Sequence, residues 1–271
     1  MKSFKNHAWK PFMVDIGGVC GGSLITSQHV LTAAHCCDKD NFAYFDFRFG
    51  VRTLDNEENE QIRRLDRYVI HPHFSRAKLD NDVCLVRLAA PVTLTKQVQP
   101  IGLPRHNEDV FADGNVFIAG WGLTAYGGQA AEVLQNALVR HVDDGVCGSS
   151  SYYGAQFNNA TMFCAGDEKT DSCTYDSGGP AVVLKHRNDI LLASAKPGQE
   201  AIKAPKSAVL AGITSWGHGC AKQQKPGVYV RLSSFLRNGW FSVNILSFGA
   251  NGSSQPQTKL GWVNVGDTLS K

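Results

Sequence analysis

The chain is broken into short apolar runs bounded by Gly, Pro, Asn and Asp, with almost no stretch at helical spacing. Residues 11–16 read as a strand, Gly17-Gly18 turns it, and residues 20–25 begin another. Residues 30–34 are an apolar run leading to His35. Residues 44–50 alternate well enough for a strand, residues 55–60 form an acidic, Asn-rich loop, and residues 67–70 are a strand closed by His71-Pro72. Residues 83–88 read as a buried strand, and Pro91 and Pro100 punctuate the stretch after it. A second set of strands is predicted at residues 116–121, 133–142, 162–165, 181–184, 209–216 and 227–232. Many short strands with Gly and Pro turns indicate an all-β chain, and no internal repeat is evident. Residues 248–271, rich in Gly, Ser, Asn and Gln, read as a poorly ordered tail.

Composition narrows the class. At 271 residues the chain is long enough for one large domain or two small ones, and 43% hydrophobic against 19% charged residues excludes a disordered chain. A net charge of +3 gives no reason to expect nucleic acid or an anionic membrane as a partner. No apolar run reaches the ~18 residues of a membrane-spanning helix. Eight cysteines without a Cys-x-x-Cys zinc pattern favour disulfides and an oxidising compartment over a cytosolic protein with scattered buried thiols. Two sequons, Asn159-Ala-Thr161 and Asn251-Gly-Ser253, fit secretion. Residues 1–7 have no apolar h-region and do not read as a signal peptide, so the expectation is a start further upstream or a fragment.

Chemistry concentrates in Asp171-Ser-Cys-Thr-Tyr-Asp-Ser-Gly-Gly-Pro180. Asp176, Gly178 and Gly179 fold a tight turn around Ser177 and expose one hydroxyl. A serine hydroxyl is a poor nucleophile alone, so catalysis needs a base and a group to orient that base. His35, in Thr-Ala-Ala-His-Cys, and Asp82, in Asn-Asp-Val, supply both. The chain order His, Asp, Ser is that of chymotrypsin-type enzymes, not of subtilisins or α/β-hydrolases. On these three motifs the sequence resembles a trypsin-like member of the chymotrypsin family of serine proteases, over roughly residues 8–236.

The resemblance implies two six-stranded antiparallel β-barrels, about 10–111 and 112–236, with the active site in the cleft between them and residues 237–271 as a tail. Residues 186–206, Lys/Ala-rich, stand where the family has a short hairpin, and read as an exposed insertion or a retained non-coding segment. After Leu236 the resemblance predicts a C-terminal helix, though Arg-Asn-Gly239 breaks the pattern. Ser177 is implied as nucleophile, His35 as its general base and Asp82 as the group that holds the imidazole. The implied oxyanion donors are the backbone N–H groups of Ser177 and of Tyr175, where the family normally has Gly; a ring there is expected to alter activity and narrow acceptance of large inhibitors. Asp171 is implied as the base of a pocket for substrate Lys or Arg, with walls from Ser215-Trp216-Gly217 and Pro226-Gly227-Val228.

By resemblance Cys20 pairs with Cys36, Cys147 with Cys164, and Cys173 with Cys220. Cys37 and Cys84 are left over and are expected to pair with each other, a bridge that would staple the His35 turn to the Asp82 strand, with buried free thiols as the alternative. Asp176 is implied as partner of an activation terminus, Ile-Val-Gly-Gly, freed after Lys or Arg. That motif is absent here; Asp15-Ile16-Gly17-Gly18 reads as a hairpin turn, and a zymogen-like chain whose activation peptide lies upstream is expected. Asp55, Glu57, Glu58 and Glu60 resemble the calcium loop of some trypsins, but Val51 replaces its first carboxylate, so no metal is expected there, nor at His71-Pro-His73. The overall expectation is a secreted, monomeric endopeptidase without cofactor. It would act on protein or peptide substrates with Lys or Arg at the cleavage site and meet protein protease inhibitors. A catalytically silent homologue acting as a binding or regulatory protein is the alternative.

Overall fold

The computed structural model describes residues 10–54, 60–105, 110–111, 114–125, 127–167, 170–184, 208–236 and 240, and the backbone of 263–264. Asp55, Glu57, Glu58, the segment 186–206 and most of 237–271 lie outside the described residues. The first half of the chain runs through β1 (Met13–Ile16), β2 (Cys20–Thr26), β3 (His29–Thr32), α1 (Ala34–Cys37), β4 (Phe47–Phe49), β5 (Gln61–Arg63), β6 (Leu65–Ile70) and β7 (Cys84–Leu88). The second half runs through β8 (Asn115–Gly120), β9 (Gln135–Val142), α2 (Asp144–Cys147), β10 (Met162–Ala165), β11 (Pro180–Leu184), β12 (Ala208–Trp216), β13 (Gly227–Arg231) and β14 (Val263–Asn264). Among the described residues α1 and α2 are single turns, so the all-β expectation describes the molecule.

Strands β8 to β13 close a six-stranded barrel in the order β10-β13-β12-β11-β8-β9. Period-two burial builds its core: on β9 Ala137 and Val139 point inward and Arg140 outward. They meet Val116 and Ile118 of β8, Phe163 of β10, Ala211 of β12 and Tyr229 of β13. The other strands form an eight-stranded antiparallel sheet, β14-β6-β7-β3-β2-β1-β4-β5, curled around Ile16, Leu24, Leu31, Phe47, Phe49 and Leu85. Two features separate it from a closed six-stranded barrel. Its terminal strands β5 and β14 do not pair, and β14 adds to the outer edge of β6, Val263 opposite Tyr68. Burying each such Leu or Phe contributes about 1.5–3 kcal/mol.

Gly17 and Gly18, both at positive φ, make the β1–β2 turn that the sequence predicts. Four disulfides join Cys20 to Cys36, Cys37 to Cys84, Cys147 to Cys164 and Cys173 to Cys220, and among the described residues no cysteine is free. The adjacent Cys36 and Cys37 therefore anchor α1, which carries His35, to β2 on one side and β7 on the other.

Candidate active site

His35 stands on the single turn that follows β3, and Asp82 lies two residues before β7. Because β3 and β7 are neighbours, with Thr32 opposite Cys84, the register brings the two side chains together. Asp82 is fully buried and accepts three hydrogen bonds. The His35 backbone N–H reaches Oδ1 at 2.9 Å, His35 Nδ1 reaches Oδ2 at 2.7 Å, and the Ser215 hydroxyl donates to Oδ2 at 2.5 Å. With Nδ1 donating to a carboxylate, the imidazole is oriented and its Nε2 is left as the basic nitrogen. The sequence placed Ser215 only in a pocket wall; its bond to Asp82 was not legible, because it arises from tertiary approach of β12.

Ser177 sits on the turn before β11 and is tied to both sheets. Its carbonyl accepts from Gly21 N–H of β2 at 2.7 Å, and Gly178 N–H donates to Thr214 O of β12 at 2.8 Å. The Cys36 sulfur, next to His35 in the chain, lies 3.7 Å from the same Ser177 carbonyl. Gly178 has φ +82, and a Cβ there would strike Gly21 O and the Thr32 hydroxyl. Thr32 instead donates to Gly21 O at 2.8 Å, so the turn can close only around a glycine.

Hydrogen bonding around this turn is selective. The N–H groups of Asp176, Gly178 and Gly179 donate to Cys173, Thr214 and Asp176 carbonyls, whereas among the described residues those of Tyr175 and Ser177 donate to none. Two unused N–H donors therefore lie beside the Ser177 hydroxyl in the chain. Tyr175 attains this geometry at φ +74, in the region that an aromatic residue rarely occupies, and its ring stays 45% exposed.

Beside Ser177 opens a cavity of about 340 Å³, lined by Ser172 to Tyr175, Thr214 to Gly217, Gly219, Cys220 and Gly227. Asp171 stands behind this lining, only 4% exposed. It accepts from Ser172 N–H at 2.8 Å, Gly227 N–H at 3.0 Å and Ala221 N–H at 3.1 Å. Burial pushes its carboxyl up to about 7 against the pull of these three donors. A Cβ on Gly227 would lie 2.7 Å from Asp171 Oδ1, so only glycine leaves the carboxylate in place there. The Cys173–Cys220 bridge fastens the two sides of this cavity to each other.

Asp176 is buried beneath the turn. Its Oδ1 accepts from Gly122 N–H at 2.9 Å and its Oδ2 from Cys173 N–H at 2.8 Å, and burial raises its carboxyl to about 6. Among the described residues no Lys, Arg or His side chain pairs with it. Glu60, read in the sequence as part of an acidic loop, is bound by both Nε and Nη2 of Arg48, whose Nη1 donates to Leu54 O. His71 packs edge-on against Phe235 and Trp240.

A further support was not foreseen. Asp80, two residues before Asp82, accepts from Asn158 Nδ2 at 2.9 Å and from the Thr161 hydroxyl at 2.5 Å. These residues lie in the turn entering β10, so the bonds fasten the Asp82 loop to the closed barrel. Leu79 and Asn81, on either side, have φ +49 and +53. No sequence signal marks such a clasp, because its partners are some 80 residues apart in the chain.

The Trypsin family model matches residues 2–238. Trypsin-1 of Astacus astacus is 35% identical over 231 residues, covering 83% of this chain and 87% of that protein. Trypsin V-A of Rattus norvegicus is 33% identical over 232 residues, covering 83% and 81%. Transmembrane protease serine 11G of Rattus norvegicus is 33% identical over 220 residues, and the match spans about half of that longer relative, 48%. No helix among the described residues is long and apolar enough to cross a membrane.

Proposed function

This chain belongs to the trypsin family of serine proteases, and on that premise we propose that it is a secreted endopeptidase that cleaves peptide bonds after Lys or Arg. The observation that carries the reading is a cavity lined by Tyr175 and Ser177, whose N–H groups are unused among the described residues, with the buried Asp171 carboxylate behind its lining. The Asp82-bound imidazole of His35 stands on the neighbouring turn, whose Cys36 sulfur lies 3.7 Å from the Ser177 carbonyl.

Ser177 Oγ attacks the scissile carbonyl carbon while His35 Nε2 takes its proton. The carbonyl oxygen becomes an oxyanion, held by the N–H groups of Tyr175 and Ser177. Asp82 keeps the imidazole in its Nδ1–H tautomer and stabilises the imidazolium, with the Ser215 hydroxyl holding the carboxylate in turn. His35 then returns the proton to the leaving amine, and water releases the acyl group by the same steps. A guanidinium or ammonium in the cavity supplies the charge that desolvated Asp171 lacks, which favours Arg and Lys over neutral side chains. Asp176 has the same need for a cation, which a newly freed amino terminus would meet in an activated enzyme.

An aryl phosphonate carrying an arginine-like side chain tests this reading by covalent labelling. The reading expects phosphonylation at Ser177, suppressed by benzamidine and lost in Ser177→Ala. Protein with a freed amino terminus that resists labelling, or that is labelled at another residue, would point instead to a silent homologue that only binds.

A further inference from the structure

The turn entering β10 carries Asn159-Ala-Thr161, a pattern that proteolysis leaves unused. Asn158 shapes this turn: its carbonyl accepts from Thr161 N–H at 3.1 Å and Met162 N–H at 2.8 Å, and its Oδ1 from Ala160 N–H at 3.2 Å. Asn159 itself is exposed, whereas Thr161 is partly buried with its hydroxyl given to Asp80. The middle position is Ala, so the proline that blocks such acceptors is absent.

We propose that Asn159 is an N-glycosylation site, modified before the Asp80 clasp closes. It rests on the reading that the chain passes through a secretory compartment. In the transfer, Asn159 Nδ2 bonds to the anomeric carbon of the first N-acetylglucosamine of a lipid-pyrophosphate-linked oligosaccharide. The bond from that carbon to the pyrophosphate breaks, the lipid pyrophosphate departs, and Nδ2 gives up one proton. The acceptor pattern requires the Thr161 hydroxyl, and in the folded molecule Asp80 holds that hydroxyl. Transfer therefore belongs to the nascent chain, and the hydroxyl serves first the glycosyltransferase and later the clasp. The exposed Asn159 leaves room in solvent for the finished glycan beside the closed clasp.

The test uses the full chain behind an added secretory leader in a eukaryotic host, which removes any dependence on its natural address. Asn251→Gln silences the second sequon. Medium and lysate are both treated with peptide-N-glycosidase in H2(18)O, which converts a glycosylated Asn to 18O-labelled Asp. The expected result is one glycan, the label at residue 159, and loss of both in Asn159→Gln and in Thr161→Ala. Asp80→Ala should leave occupancy unchanged, because transfer precedes the clasp. An unlabelled residue 159 in both fractions would overturn the site, and a marked rise of occupancy in Asp80→Ala would overturn the order of events. Ester hydrolysis by the Asn159→Gln protein reads the protease function separately.

Discussion

Tyr175 is the residue at which local chemistry and inherited architecture conflict most. Its backbone must adopt φ +74 to leave its N–H beside Ser177 unused, and a left-handed non-glycine residue costs about 1–3 kcal/mol. Tyr175→Gly should therefore raise the melting temperature and speed association with large protein inhibitors more than hydrolysis of small esters. Calorimetry and stopped-flow inhibition check both, and equal effects on small and large ligands would remove the ring from substrate selection. The sequence disclosed this position, because a motif predicts Gly and shows Tyr. It did not disclose Ser215 as a donor to Asp82, since a serine in a strand gives no sign of which neighbour its hydroxyl will meet. Ser215→Ala should lower kcat about tenfold with KM nearly unchanged, reflecting a looser carboxylate and no lost substrate contact.

Among the elements, the strands were readable and the devices between them were not. Gly/Pro punctuation discloses β1, β2 and β10 as short apolar runs buried along most of their length, whereas β8 and β9 alternate between buried and less buried positions. β5 was missed: Gln61, Ile62 and Arg63 have no buried face, and only pairing with β4 makes them a strand. The Asp80 clasp is the element-scale device with the most consequence, since it holds the Asp82 loop between two left-handed residues. Asp80→Ala should reduce kcat several-fold while benzamidine binding at the Asp171 cavity stays as in the parent. The exchange Asp80→Asn with Asn158→Asp, which reverses donor and acceptor, should restore part of the rate. Equal loss of kcat, amidine binding and melting temperature would make the clasp a purely structural feature.

For the molecule as a whole, the main electrostatic feature is a set of desolvated carboxylates. Burial raises Asp171 to about 7 and Asp15 and Asp176 each to about 6, all above their ordinary 3.8. A carboxyl raised on folding contributes stability that is whole below its unfolded value near 4 and is lost as pH rises through its folded value. The unliganded protein should thus lose stability between about pH 4 and pH 7, and Asp171→Asn should flatten that slope. Binding of a cationic amidine needs Asp171 ionised, so its affinity should weaken about tenfold per pH unit below 7. Calorimetric titration at pH 5, 6, 7 and 8 checks this. An affinity independent of pH would place the amidine away from Asp171. At this scale the all-β architecture was legible from strand density. The open eight-stranded sheet was not, because whether β5 and β14 close on each other depends on curvature that no single strand encodes.

The most direct measurement is hydrolysis of matched Arg, Phe and Ala peptide esters by the processed protein beside its Ser177→Ala and Asp171→Ser variants. The account predicts strong preference for Arg, a fall in kcat of about 10⁶ in Ser177→Ala, and loss of the Arg preference in Asp171→Ser. Cleavage that survives Ser177→Ala, or no cleavage by protein whose activation terminus is confirmed free, would contradict it.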